Sequence, residues 1–113
     1  MYEFLGHGSS NMTSLQGYYV ATYDQLVSIF GEPTYNTTSG DDKVDVEWDL
    51  IFWHEAPTVR TMAVTVYNWK DYDGGARARS GDKHEWHIGG HDRHAVLAVE
   101  HILNEALEPE AVA

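Results

Sequence analysis

From Val44 to Leu50 the chain alternates strictly between apolar and acidic residues. Val44, Val46, Trp48, Leu50 and Phe52 share one parity, whereas Asp45, Glu47 and Asp49 share the other. Side chains of a strand point alternately to its two faces, so the pattern predicts a half-buried strand over 44–53 with an apolar face and an acidic face. A second apolar run, 61–69, is rich in Val, Thr, Tyr and Trp, which suit a pleated surface. His54, Glu55, Ala56 and Pro57 supply a polar turn between the two, and the pair reads as a hairpin. The rest of the chain is organised around it.

Upstream, 15–21 reads as a short strand in which Gly17 permits a bulge or a close approach. Thr22 with Gln25 three residues on forms a capping-box pattern, and it predicts a helix over 23–30. Tyr23, Leu26, Val27, Ile29 and Phe30 fall on one side of that helix. Gly31 suits the left-handed position after the last turn, and Pro33 prevents continuation. Residues 1–14, rich in Gly, Ser and Asn, are expected to form a loose arm; 35–42 reads as a polar loop.

Downstream, 70–83 is a second polar loop with the basic pair Arg77 and Arg79. A third main strand is expected over 83–88 with Trp86 and Ile88 inward, ended by Gly89 and Gly90. Asp92 can cap a last helix over 93–107, whose apolar stripe holds Ala95, Val96, Val99, Ile102, Leu103, Ala106 and Leu107. The tail 108–113 is expected to fray. The order β-α-β-β-β-α, with two amphipathic helices, predicts one α+β domain over 1–113. It would be a two-layer sandwich: an antiparallel sheet of about four strands with both helices on one face.

Composition changes this picture in two ways. The chain of 113 residues carries a net charge of −11 with its seven His neutral, and full His protonation would remove seven of those eleven charges. Such a field repels nucleic acid and anionic membranes, and it suits a basic protein partner, a cation, or simply solubility. There is no Cys, which excludes disulfides, thiolate metal sites and a cysteine nucleophile. No apolar run approaches the ~20 residues of a membrane span and the N-terminus lacks a signal-peptide pattern, so a cytoplasmic protein is expected.

Candidate chemistry falls into three groups. If both helices cover the Trp48 face, the opposite face shows Asp45, Glu47 and Asp49 beside Tyr67 and Trp69. Carboxylates next to aromatics on an uncovered sheet suit a contact surface for a partner or a homodimer seam; the third reading is that a loop or the N-terminal arm packs over the aromatics. Lys70, Arg77, Arg79, Trp86 and His87 form a second candidate set that could stack a base and neutralise phosphate. His84, His87, His91 and His94 fall within one short stretch, the residue type most used for metal. Against a metal site, His84 and His87 have opposite strand parity and no H-E-x-x-H pattern occurs. No acid/base pair or nucleophile context stands out, so no catalytic residue and no cofactor is assigned.

One resemblance covers roughly residues 13–99. Thr13-Ser14-Leu15-Gln16-Gly17-Tyr18, Phe30-Gly31-Glu32-Pro33-Thr34, Glu47-Trp48, Tyr67-Asn68-Trp69-Lys70 and Trp86-His87-Ile88-Gly89-Gly90-His91 occur in an order that resembles a group of small proteins of tailed phages, especially phages of actinobacteria. The resemblance implies an accessory phage or prophage protein acting inside a bacterial cell, and it carries over no catalytic residue. The expectation is a non-enzymatic binder of a host or host-defence protein with a basic surface. The alternatives are a sponge for a small signalling nucleotide and a metal-dependent hydrolase using the histidine cluster.

Overall fold

The computed structural model describes residues 2–9, 13–37, 43–55 and 60–107. In chain order the elements are β1 (Tyr2–His7), β2 (Ser14–Ala21), α1 (Tyr23–Phe30), β3 (Tyr35–Asn36), β4 (Val46–His54), β5 (Arg60–Tyr67), β6 (His84–Gly90) and α2 (His94–Leu107). The six strands form one sheet in the order β1-β4-β5-β6-β2, with β3 also paired to β4, and every pairing is antiparallel. Both helices pack on one face, which gives the expected two-layer α+β architecture.

The sheet has six strands rather than about four. The extra strands are β3, inside the expected polar loop, and β1, inside the expected loose arm. The physical reason for β1 is its own alternation. Phe4 lies 5.0 Å from Phe30 and 5.6 Å from Phe52, ring centre to ring centre, so docking the strand closes an apolar seam under α1. Tyr2 stacks on His54 at 4.5 Å and its hydroxyl lies 2.7 Å from His94 Nδ1. His54, expected in a polar turn, is the last residue of β4 and is buried. Burial, and then the adjacent His94, hold its imidazole below the ordinary histidine range. The remaining turn residues 56–59 and the tail 108–113 lie outside the described residues.

The apolar parity of β4 forms the centre of the core. Val46, Trp48, Leu50 and Phe52 are fully buried against Val64 and Val66 of β5, Trp86 and Ile88 of β6, and Ala98, Val99 and Leu103 of α2. Trp48 meets Trp86 edge-on at 5.3 Å. Each indole N–H donates to a carbonyl, Trp48 to Gly31 at 2.8 Å and Trp86 to Ala21 at 3.0 Å. Buried indoles with satisfied N–H groups carry no polar penalty. On β2, Gly17 passes directly beneath α2: a Cβ there would sit 2.8 Å from Val96 Cγ2. That close approach is why the strand carries glycine at this position.

Helix α1 begins as the sequence predicts. The Thr22 hydroxyl accepts from Gln25 N at 3.1 Å, and the Gln25 side chain accepts from Thr22 N at 2.9 Å. Gly31 ends the helix at φ 81°, donating its N–H to Val27 O. Thr22→Ala is expected to cost about 1 kcal/mol, because a helix N–H loses its acceptor. Urea denaturation checks this, and a change below a few tenths of a kcal/mol would mean that the cap contributes nothing. The last helix is capped by Asp92, whose Oδ1 accepts from His94 N at 2.9 Å.

Candidate functional site

The face of the sheet away from the helices is built by the other parity. The strand registers set Glu47 opposite Tyr67, Tyr67 opposite His87, and His87 opposite Tyr18. A row of four side chains therefore crosses β4, β5, β6 and β2. Tyr67 lies 5.5 Å from His87, and Tyr18 meets His87 edge-on at 4.9 Å. Trp69, just past the end of β5, closes the group at 6.1 Å from Tyr67 and 6.2 Å from His87. No described helix covers this row. Tyr18 is 48% exposed and Trp69 40%.

The electrostatics of the row are milder than the sequence suggests. Glu47 is pushed up to about 8, first by burial, then by its hydrogen bond to Asp49 and by the charge of Asp49. Glu47 therefore keeps its proton at neutral pH, two residues from Asp49 on the same strand face. Asp49 Oδ1 is itself buried without a hydrogen-bond partner. Its backbone N–H donates to Thr34 Oγ1 at 2.9 Å. Burial lowers the His87 imidazole, so it stays neutral in the row. Burial, and then Glu47, raise the Tyr67 phenol.

This proton has a measurable consequence. In the unfolded chain Glu47 titrates near its ordinary 4.5, in the native chain near about 8. Between those values folding takes up a proton, so stability falls as pH rises through that window. Glu47→Gln removes the titration while keeping the shape. The variant is expected to match the parent below about pH 4.5 and to exceed it by about 1–2 kcal/mol at about pH 8, after discounting the shift for solvent screening at a half-buried site. Urea midpoints across that range check this; parallel pH profiles would contradict it.

Four of the expected site residues are placed elsewhere. Asp45 is 0% exposed and is not part of the open acidic face. Strand β4 begins only at Val46, so the parity rule does not extend to Asp45. Its N–H instead donates to Asn68 Oδ1 at 2.8 Å, and its carbonyl accepts from Thr37 N at 2.8 Å. Trp86 is fully buried in the core, where no ligand can stack on it. Arg79 donates to Asn36 Oδ1 and the Gly74 carbonyl, and so fastens the 70–83 loop to β3. Arg77 is exposed; its backbone N–H donates to Asp73 Oδ2, and no described contact joins it to the aromatic row.

Lys70 does reach the site. Its ammonium lies 5.7 Å from the centre of the Trp69 ring, and that of Lys43 lies at 5.8 Å. Both distances are within cation–π range. Lys70 and Tyr72 both adopt positive φ, at 57° and 52°, in the loop that leaves Trp69. The structure thus brings Glu47, Asp49, Tyr67, Trp69, Lys70 and His87 onto one face and adds Tyr18 and Lys43.

The histidine stretch diverges. His84 Nε2 faces Asp71 Oδ2 at 3.6 Å, His87 is in the open row, His91 is exposed, and His94 contacts Tyr2. Among the described residues no three His, Asp or Glu side chains gather as a metal set. A cavity of about 610 Å³ lies at the other side of the sheet, between β1 and α2, lined by Tyr2, Phe4, Trp53, His101, Ile102 and Glu105 among others. Its polar pair, His101 Nε2 and Glu105 Oε2, satisfy one another at 2.7 Å. Comparison with protein-family models, with curated proteins and with solved structures gave no match. No helix among the described residues is long and apolar enough to cross a membrane.

Proposed function

We infer that the chain is a non-enzymatic binding protein that acts as a phage or prophage accessory factor in a bacterial cell, and that the open sheet face holds a host or host-defence protein. One observation carries this reading: an aromatic row of Tyr18, Tyr67, His87 and Trp69 that no described helix covers. Tyr and Trp supply most of the energy of protein interfaces because they bury large areas at little entropic cost. The net charge of −11 favours a partner with a basic surface and speeds its approach. At the face itself the proton on Glu47 reduces the charge, so the contact there is aromatic first and acidic second.

Trp69→Ala tests the reading. Trp69 is part exposed and lies outside the core, so the variant is expected to remain folded. Its affinity for the partner is expected to fall about 30-fold, the loss typical of a central aromatic anchor worth ~2 kcal/mol. Unchanged affinity would remove the face from the interface.

The two ammoniums beside Trp69 favour a second reading, a site for a small anionic nucleotide whose base stacks on the indole. Calorimetric titration with a set of cyclic nucleotides separates the two. Heat of binding that disappears in Trp69→Ala would favour the nucleotide.

A further inference from the structure

We propose that β2 pairs with β2 of a second copy of this chain, antiparallel about a two-fold axis, joining two sheets into one. The inference concerns the outer edge of the sheet and goes beyond the partner face described above. Strand β2 is terminal in the sheet, and no described strand pairs with its outer side. A free edge presents unpaired N–H and C=O groups and invites another strand unless something blunts it.

The two edges differ in how they are blunted. On the opposite side β1 carries the exposed carboxylate of Glu3, a bulge between Phe4 and Gly6, and Gly6 at φ 132°. Its neighbour β3 has two residues. On β2, Ser14–Ala21 contains no charged residue and no proline, in a chain with seven basic and eighteen acidic residues. A bulge interrupts β2 between Leu15 and Gly17, but 17–21 is regular. Leu15, Tyr18 and Val20 are 47%, 48% and 54% exposed. Among the described residues nothing covers this edge, and it carries no charge.

The charge pattern selects the occupant. Two copies of a chain at −11 repel one another over most of their surfaces. A strand without charge is where they can meet, and a two-fold axis makes one patch serve both sides. A basic partner has no carboxylate to meet along β2. Centring the axis on Tyr19 sets Tyr18 opposite Val20 of the second copy, a cross-strand aromatic–β-branched pair. Tyr19 itself faces α2, donating its hydroxyl to Asn104 Oδ1 at 2.6 Å, and so holds the edge in place. An axis normal to the sheet leaves both aromatic rows on the same side of the joined sheet.

Sedimentation equilibrium tests the pairing. The parent at about 200 μM, an ample concentration for a small interface, is expected at twice the 12.8 kDa of one chain. Added salt is expected to strengthen association, because it screens repulsion between like charges. Val20→Lys sets an ammonium against the Tyr18 ring of the second copy, with its own counterpart diagonally across the seam, and is expected to restore the single-chain mass, with an unchanged far-ultraviolet circular dichroism spectrum. Glu3→Lys, at the other edge, is expected to keep the double mass. A parent of single-chain mass overturns the proposal, as does a Val20→Lys variant that keeps the double mass. Separation of the copies by Trp69→Ala but not by Val20→Lys would also overturn it, by placing the seam on the open face. Should Val20→Lys fail to fold, amide exchange of the parent decides. Amides of 17–21 are expected to exchange more slowly as concentration rises; exchange independent of concentration overturns the pairing.

Discussion

Trp48→Ala is expected to cost about 3–5 kcal/mol, a large part of the 5–15 kcal/mol that holds a domain of this size together. Trp48 has no exposed surface and packs against both β6 and α1. Its ring lies edge-on to Trp86 of β6 and 5.8 Å from Tyr23 of α1, and its N–H ties the Gly31 carbonyl that ends α1. Alanine removes these contacts and leaves a cavity between sheet and helix that rigid neighbours cannot fill. The midpoint of urea denaturation is expected to fall accordingly, with loss of near-ultraviolet circular dichroism from the Trp48–Trp86 pair before loss of the far-ultraviolet signal. A deficit below about 1 kcal/mol would mean that the sheet has been assigned inside out.

Asn68→Ala is expected to cost about 2–4 kcal/mol, although it removes little apolar surface. Asn68 is fully buried. Its Oδ1 accepts from the backbone N–H groups of Asp45 and Val46, at 2.8 and 3.0 Å, where β4 begins. Its Nδ2 donates to Asp71 Oδ2 at 3.1 Å, where the 70–83 loop leaves the sheet. Alanine strands two buried donors, and each unsatisfied donor costs more than the bond it lost would contribute. Asn68→Asp restores the two acceptors but sets a second carboxylate against Asp71. Its deficit is therefore expected to shrink in acid, because the introduced buried carboxyl takes up a proton more readily than a free one. Equal deficits for both variants at all pH values would show that volume, rather than hydrogen bonding, is what Asn68 contributes.

Local patterns made much of this fold legible. The Thr22–Gln25 box and Gly31 bound α1 to the residue, because capping is chemistry between near neighbours. The alternation of 44–53 named the buried face of β4, because a strand's period is fixed. What the sequence could not convey was pairing. Tyr18 joins Tyr67 and Trp69 only because β2 lies beside β6, and nothing near Tyr18 encodes that neighbour. Arg79 looked like a free cation because its acceptors, Asn36 and the Gly74 carbonyl, come together only in the folded chain.

Two other differences have local causes. The alternation of 44–53 carries Asp45 onto the acidic face, but β4 starts only at Val46, and at Asp45 the backbone turns to Asn68. Strand β1 was hidden by the Gly, His and Ser that follow Phe4, although Tyr2 and Phe4 already have the spacing of a buried face. Trp86 shares its parity with Ile88, and that parity places it in the core rather than on a stacking surface.

The most direct test of the proposed binding role asks whether the open face meets a protein partner in a bacterial cell. A photo-crosslinking amino acid at position 69 reports the open face, and the same group at position 104, exposed on α2, reports the helical side. Expressed in the bacterial host and irradiated, the position-69 protein is expected to give a discrete adduct with one host protein, and the position-104 protein none of that mass. Adducts of equal yield from both positions, or an adduct from position 104 alone, would contradict the assignment of the open face as the binding surface.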